Sequence, residues 1–143
     1  MDRREITVYT DGGAINNPGR AAIGVVIKFN NEVKEYAKEV GLKTNNQAEY
    51  LAVIFALEKI KQIFGKKKLS QLKIVLNLDS ELVVKQITNQ YKIKEKDLFP
   101  YFIKFHNLKL DFGEIEINHI PREKNLADRL VKKILFHKFS TLI

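Results

Sequence analysis

The 143-residue chain is 45% hydrophobic, which gives it about the apolar content of one ordinary core, and a single domain is expected. It carries 25 Lys and Arg against 17 Asp and Glu, a net charge of +8, and no cysteine, which excludes a disulfide scaffold, a thiolate metal site and a cysteine nucleophile. Met1 to Ile6 has no apolar run of signal-peptide length, and no later stretch approaches the roughly 18 apolar residues of a membrane span, so a soluble, cytoplasmic protein with no membrane partner is expected.

Glu5 to Thr10 alternates polar and apolar residues through Ile6 and Val8, Ala22 to Phe29 is rich in Val and Ile, and Glu32 to Val40 alternates through Val33 and Tyr36. Each reads as a strand. Asn16-Asn17-Pro18-Gly19 marks a loop between the first two strands, and Asn30-Asn31 a tight turn before the third, so an antiparallel meander follows. Thr44 and Gln47 form a capping box, and the apolar run from Tyr50 to Leu57 makes the helix they open largely buried until Gly65 and three lysines end it. Leu72 to Leu78 is a compact apolar strand. A helix from about Ser80 to Asn89 follows, with a stripe of Leu82, Val83, Gln86 and Ile87, and this strand-then-helix order implies a parallel crossover.

Tyr91 to Asp97 is a short basic connection, and Leu98 to Leu110 a helix whose Pro100 fits its first turn. The aromatics at 99, 101, 102 and 105 read as core packing rather than a base-stacking platform. Glu114 to Ile120 alternates as the last strand, and Asn125 caps a final helix to about Lys138. The order βββαβααβα describes an α/β chain with a mixed sheet and helices packed on it.

Lysines cluster at 66 to 68, at 92, 94 and 96, and at 132 and 133. A polyanionic partner would explain them, and so would a plain preference for Lys on the surface, since Lys outnumbers Arg 20 to 5.

Four carboxylates stand out. Asp11 in Thr-Asp-Gly-Gly has the ordinary reading of a turn residue ending the first strand. Asp79 sits between strand and helix, where it reads as an N-cap, and Asp128 in the first turn of the last helix interacts well with the helix dipole. Glu49 resists such readings, because Ala52, Val53 and Ala56 place it on an apolar face, and a buried carboxylate is neutralised, paired or bound to metal. Asp11 and Asp79 lie at strand ends, where sheets with crossover helices hold ligands. If the four met, each pair at about 4 Å would repel by about 4 kcal/mol at a dielectric of 20, which implies bound divalent cations. All-oxygen ligands suit Mg²⁺ or Mn²⁺ rather than zinc.

In order, Thr10-Asp11-Gly12-Gly13, Asn45-Asn46-Gln47-Ala48-Glu49, Leu78-Asp79-Ser80 and Asn125-Leu126-Ala127-Asp128 resemble the signature of type 1 ribonuclease H from about Glu5 to Leu135. The resemblance implies a ribonuclease H-like fold, with a five-stranded mixed sheet of order 3-2-1-4-5 and flanking helices. It implies an endoribonuclease that hydrolyses the RNA strand of RNA–DNA hybrids with two Mg²⁺ ions, or Mn²⁺ in their place, leaving 5′-phosphate and 3′-hydroxyl ends. The metal-binding catalytic acids would be Asp11, Glu49, Asp79 and Asp128, with Asp11 bridging the two ions. Substrate contacts would come from Gly12, Gly13, Asn16, Asn45, Asn46, Gln47, Ser80 and Arg122, with Gly13 small so that backbone approaches the RNA. For Asn45 and Asn46, helix-start chemistry is a competing reading, and Ser80 has the alternative of simply following the Asp.

Where bacterial members carry a Gly-His loop, this chain reads His119-Ile120-Pro121-Arg122-Glu123, similar to the archaeal-like and plant-like branch. His119 and Glu123 are auxiliary candidates, His119 reading better as a structural residue. Gln90 to Asp97 is too short for the basic protrusion of some members, so affinity for the hybrid, and for double-stranded RNA if that binds, would rest on diffuse lysines and fall with salt. A monomer is expected. The alternatives are a non-catalytic nucleic-acid-binding module of the same fold, or another two-metal nuclease of resolvase or transposase type.

Overall fold

The computed structural model describes residues 4–140, with side chains as far as 136. Five strands form one mixed sheet in the order β3-β2-β1-β4-β5. β1 (Arg4–Ala14), β2 (Gly19–Phe29) and β3 (Glu32–Lys43) make the antiparallel meander, and β4 (Leu72–Leu78) and β5 (Glu114–His119) continue the sheet in parallel beyond β1. The helices are α1 (Asn45–Phe64), α2 (Glu81–Ile87), α3 (Phe99–Lys109) and α4 (Asp128–Ser140). Among the described residues no helix is long and apolar enough to cross a membrane.

The main core lies between one sheet face and α1. It joins Ile6, Val8, Ile74 and Leu76 to Val53, Leu57 and Ile60, with Val83, Leu98 and Phe105 from the neighbouring helices. α4 covers part of the opposite face through Ala127, Leu130, Val131 and Leu135, against Ala22 and Val26. β2 is therefore sandwiched, and Ala21 to Ile27 are buried without a break, as expected of a strand covered on both faces. Gly24 is required there, because a Cβ would stand 2.7 Å from the Ala127 carbonyl oxygen and 2.9 Å from the Leu130 Cβ.

Local chemistry set several boundaries as expected. Thr44 and Gln47 form the reciprocal capping box, and Asn30 and Asn31 take φ of 47° and 65°, as a two-residue hairpin needs. Other boundaries moved. β1 runs past Thr10 to Ala14, because β2 goes on pairing with it from Asp11↔Gly24 to Ala14↔Ala21. Asp11-Gly12 is therefore strand rather than turn. Gly65 ends α1 as expected; the lysine run after it forms a 3₁₀ turn over Lys66–Gln71 with Leu69 buried, and the Leu69 carbonyl accepts the Gly113 N–H at 3.0 Å. The final helix starts at Asp128, not directly after Asn125.

Candidate active site

β1 is paired on both sides only as far as Thr10↔Leu78, and beyond that point it follows β2 alone. Asp11 is the first residue past this fork. α1 starts directly over it: the Gly12 N–H donates to Glu49 Oε1 at 2.9 Å. β4 ends at Leu78, and Asp79 follows at the same level as Asp11. Ser80, not Asp79, caps α2, its Oγ accepting the Val83 N–H at 3.2 Å, so the Asp79 carboxylate is not consumed by a helix terminus. Asp11, Glu49 and Asp79 each offer an oxygen within 4.8 Å of the others.

Asp128 stands outside this trio, its Oδ2 3.0 Å from Lys132 Nζ one turn along α4. Its charge still reaches Asp11.

The trio is electrostatically expensive. Asp11 and Glu49 are 5% and 6% exposed, and Glu49 Oε2 is buried with no hydrogen-bond partner among the described residues. Burial pushes the Asp11 carboxyl from 3.8 to about 6, with the charges of Asp79 and Asp128 adding to it and the Glu49 hydrogen bond and Arg122 opposing. Glu49 is pushed well above 4.5, again chiefly by burial and then by the Asp11 charge.

A folded-state pKa above the unfolded value means that the native protein holds its proton more tightly, so stability present below about pH 4 is lost as pH rises through about 6. The cation-free protein is expected to melt at a lower temperature at pH 8 than at pH 5. Added Mg²⁺ or Mn²⁺ should raise the melting temperature more at pH 8, where deprotonated carboxylates await it. Calorimetry with and without chelator at the two pH values checks this, and equal cation effects at both would contradict it.

A cleft of about 450 Å³ opens over the trio. Gly12, Gly13, Asn45, Asn46, Ser80 and Arg122 line it, while Asn16, Gln47, His119, Glu123 and Asp128 do not. The first-loop and helix-start residues hold the cleft's edge together. Asn45 Oδ1 accepts the Ala14 N–H at 2.8 Å, and Asn17 Oδ1 accepts the Asn45 N–H at 2.8 Å. Asn46 Nδ2 donates to Glu95 at 3.2 Å, and Gln47 Nε2 to Asp97 at 3.0 Å. Gln47 spends its amide oxygen in the capping box, accepting the Thr44 N–H. His119 is exposed at the end of β5, with Nε2 3.2 Å from the Asp79 carbonyl oxygen.

The far wall of the cleft was not foreseen. It comes from α4, through Val131, Lys132, Leu135 and Phe136. The i, i+4 spacing of Asp128 and Lys132 was a legible signal for the ion pair, whereas nothing local announced that α4 would lean over β1.

Comparison with known proteins agrees with this construction. The family described as Reverse transcriptase-like matches residues 9–134. A bifunctional protein of Mycobacterium tuberculosis is 32% identical over 130 residues, which are 88% of this chain and 34% of that protein, so the chain spans about a third of the length of such relatives. A Ribonuclease HI of Halobacterium salinarum is 37% identical over 133 residues, 91% of this chain and 64% of its own. The solved structure of RNase H1 from the same archaeon superposes with a TM-score of 0.82 at 35% identity, covering 92% of this chain and 97% of that one. LC11-RNase H1, isolated from compost and solved in complex with an RNA/DNA hybrid, superposes with a TM-score of 0.83 at 43% identity, covering 90% of this chain and 94% of that one. On this fork of β1, with its buried carboxylates and with matches running nearly end to end, the chain belongs to the type 1 ribonuclease H family.

Proposed function

We propose that the chain is an endoribonuclease that hydrolyses the RNA strand of RNA–DNA hybrids in a reaction dependent on divalent cations, with two Mg²⁺ ions as the working complement and 5′-phosphate and 3′-hydroxyl products. The observation that carries the proposal is the trio of Asp11, Glu49 and Asp79, the first two buried, with a Glu49 oxygen that no group among the described residues satisfies. An all-carboxylate donor set fits a hard divalent cation. Asp11, Glu49 and Asp79 would hold the first ion, and Asp128 would serve the second after release from Lys132. When bound, such ions activate water for in-line attack and neutralise the charge on the departing 3′ oxygen.

The remaining residues bind and orient. Arg122, exposed at the cleft, is placed to receive a phosphate. Asn45 gives its oxygen to Ala14, which leaves its amide N–H groups for a 2′-hydroxyl in the minor groove of an A-like duplex. The strand Gly12-Gly13 presents backbone without bulky side chains beside the reacting phosphate.

Cleavage assays on a hybrid, an RNA duplex, a DNA duplex and a DNA junction test the reading. Cutting of the RNA strand of the hybrid in Mg²⁺ or Mn²⁺, absent in Asp79→Asn, is the expected result. Hybrid binding without cation-dependent cutting would overturn it in favour of a binding module, and cleavage of DNA junctions alone in favour of a different nuclease.

A further inference from the structure

Asn125 precedes the last helix and invites a reading as its cap. The structure gives it a different set of partners. Its Nδ2 donates to the Thr10 carbonyl oxygen at 2.9 Å and to Asp79 Oδ2 at 2.9 Å, and its Oδ1 accepts the Ala127 N–H at 3.1 Å. The side chain is 5% exposed; the bonds to Thr10 and Ala127 are buried and the one to Asp79 is partly so. Rotating the amide by half a turn would set its oxygen against a carbonyl and a carboxylate, so the orientation is fixed by its neighbours.

Only the bond to Ala127 serves the chain leading into α4. The other two cross the fork of β1 and β4. One grips β1 at Thr10, the last residue paired with both neighbours, and the other grips the carboxylate that follows β4. Among the described residues no other protein group donates a hydrogen bond to that carboxylate. Asn125 therefore ties together the segments that carry Asp11, Asp79 and Asp128.

Resting on the ribonuclease reading above, we infer that Asn125 is a positioning residue for Asp79. By donating to one carboxylate oxygen it turns the other toward Asp11 and Glu49, and it sets the cation-binding geometry before any ion arrives. Groups that orient metal ligands in this way carry large effects on metal affinity without touching the metal themselves.

The test is a titration of the full chain with Mn²⁺ alone, read from the electron paramagnetic resonance signal of the free ion, alongside melting temperature and hybrid cleavage. Asn125→Ala removes all three bonds, whereas Asn125→Ser keeps a hydroxyl for the Ala127 N–H and loses the reach to Asp79. Val26→Ala is the control for mere loosening of α4, since Val26 packs on Ala127 and Leu130 and does not line the cleft over the acids. Both Asn125 variants are expected to need at least about tenfold more Mn²⁺ for half-saturation, with kcat reduced and KM for the hybrid unchanged. Val26→Ala should lower the melting temperature and leave Mn²⁺ affinity intact.

Wild-type Mn²⁺ affinity in Asn125→Ser, or an equal loss in Val26→Ala, would overturn the inference while leaving the ribonuclease reading standing. A wild-type chain that binds no Mn²⁺ would overturn both.

Discussion

Asp11→Asn is expected to abolish hybrid cleavage, by about 10³-fold or more, and at the same time to raise the melting temperature of the cation-free protein. The two effects have one cause. Asp11 sits beyond the fork of β1, 5% exposed, facing Glu49 and Asp79 within 4.8 Å. Its carboxyl is raised from 3.8 to about 6, chiefly by burial, which at neutral pH amounts to on the order of 2 to 3 kcal/mol held against the fold. Asparagine removes that charge, keeps the shape, and forfeits a cation ligand. For a chain of this size the stabilisation corresponds to roughly 5 to 10 °C. Calorimetry in chelator and single-turnover cleavage in Mg²⁺, done on the same preparation, check both halves. A variant that loses activity and stability together would mean that Asp11 serves the fold, and a variant still cutting would mean that it serves neither role.

Gly12→Ala is expected to be severely destabilising, although it adds a single methyl. A Cβ at that position would lie 2.3 Å from the carbonyl carbon of Ala48, 2.4 Å from its oxygen and 2.6 Å from the Glu49 nitrogen. These are backbone atoms of the first turn of α1, so no rotamer change relieves the contact. α1 would have to lift by about 1 Å, at a cost of about 3 kcal/mol or more, and the bond from Gly12 N–H to Glu49 Oε1 at 2.9 Å would go with it. Gly13→Ala is the informative comparison, because its Cβ would meet only Val131 Cγ1 at an ordinary 3.6 Å. Gly13→Ala should fold with near-normal urea stability and Gly12→Ala should not. Equal stability of the two would show that α1 sits farther from β1 than described.

Much of this was legible in the residues. Alternation marked three strands and apolar, β-branched runs the other two, Thr44 and Gln47 marked the start of α1, and the apolar neighbours of Glu49 at 52, 53 and 56 announced a costly carboxylate, all three neighbours proving buried. The misread places share a physical reason, which is that a local preference was overruled by a distant partner. Asp11-Gly12 has turn chemistry, yet β2 supplies hydrogen bonds that keep it in the strand. Asp79 has capping chemistry, yet Ser80 one residue later takes the cap. Asn125 has capping chemistry too, but its amide reaches Thr10 and Asp79, 115 and 46 residues away. The need for glycine at 12 and 24 comes from helices that lie across the strand, and no window of sequence around either residue contains them.

α4 carries a consequence of its own. It is fastened by two small clusters on the sheet face opposite the main core, with Arg20 Nη2 bonding the Leu135 carbonyl and Arg129 pairing with Glu35 across to β3. A local opening of α4 would carry Asp128 away from the other three acids. Such an opening would take one acid from the proposed cation site while the sheet and its main core stay intact. A cation that binds only the closed form acts as a latch, drawing α4 shut by mass action.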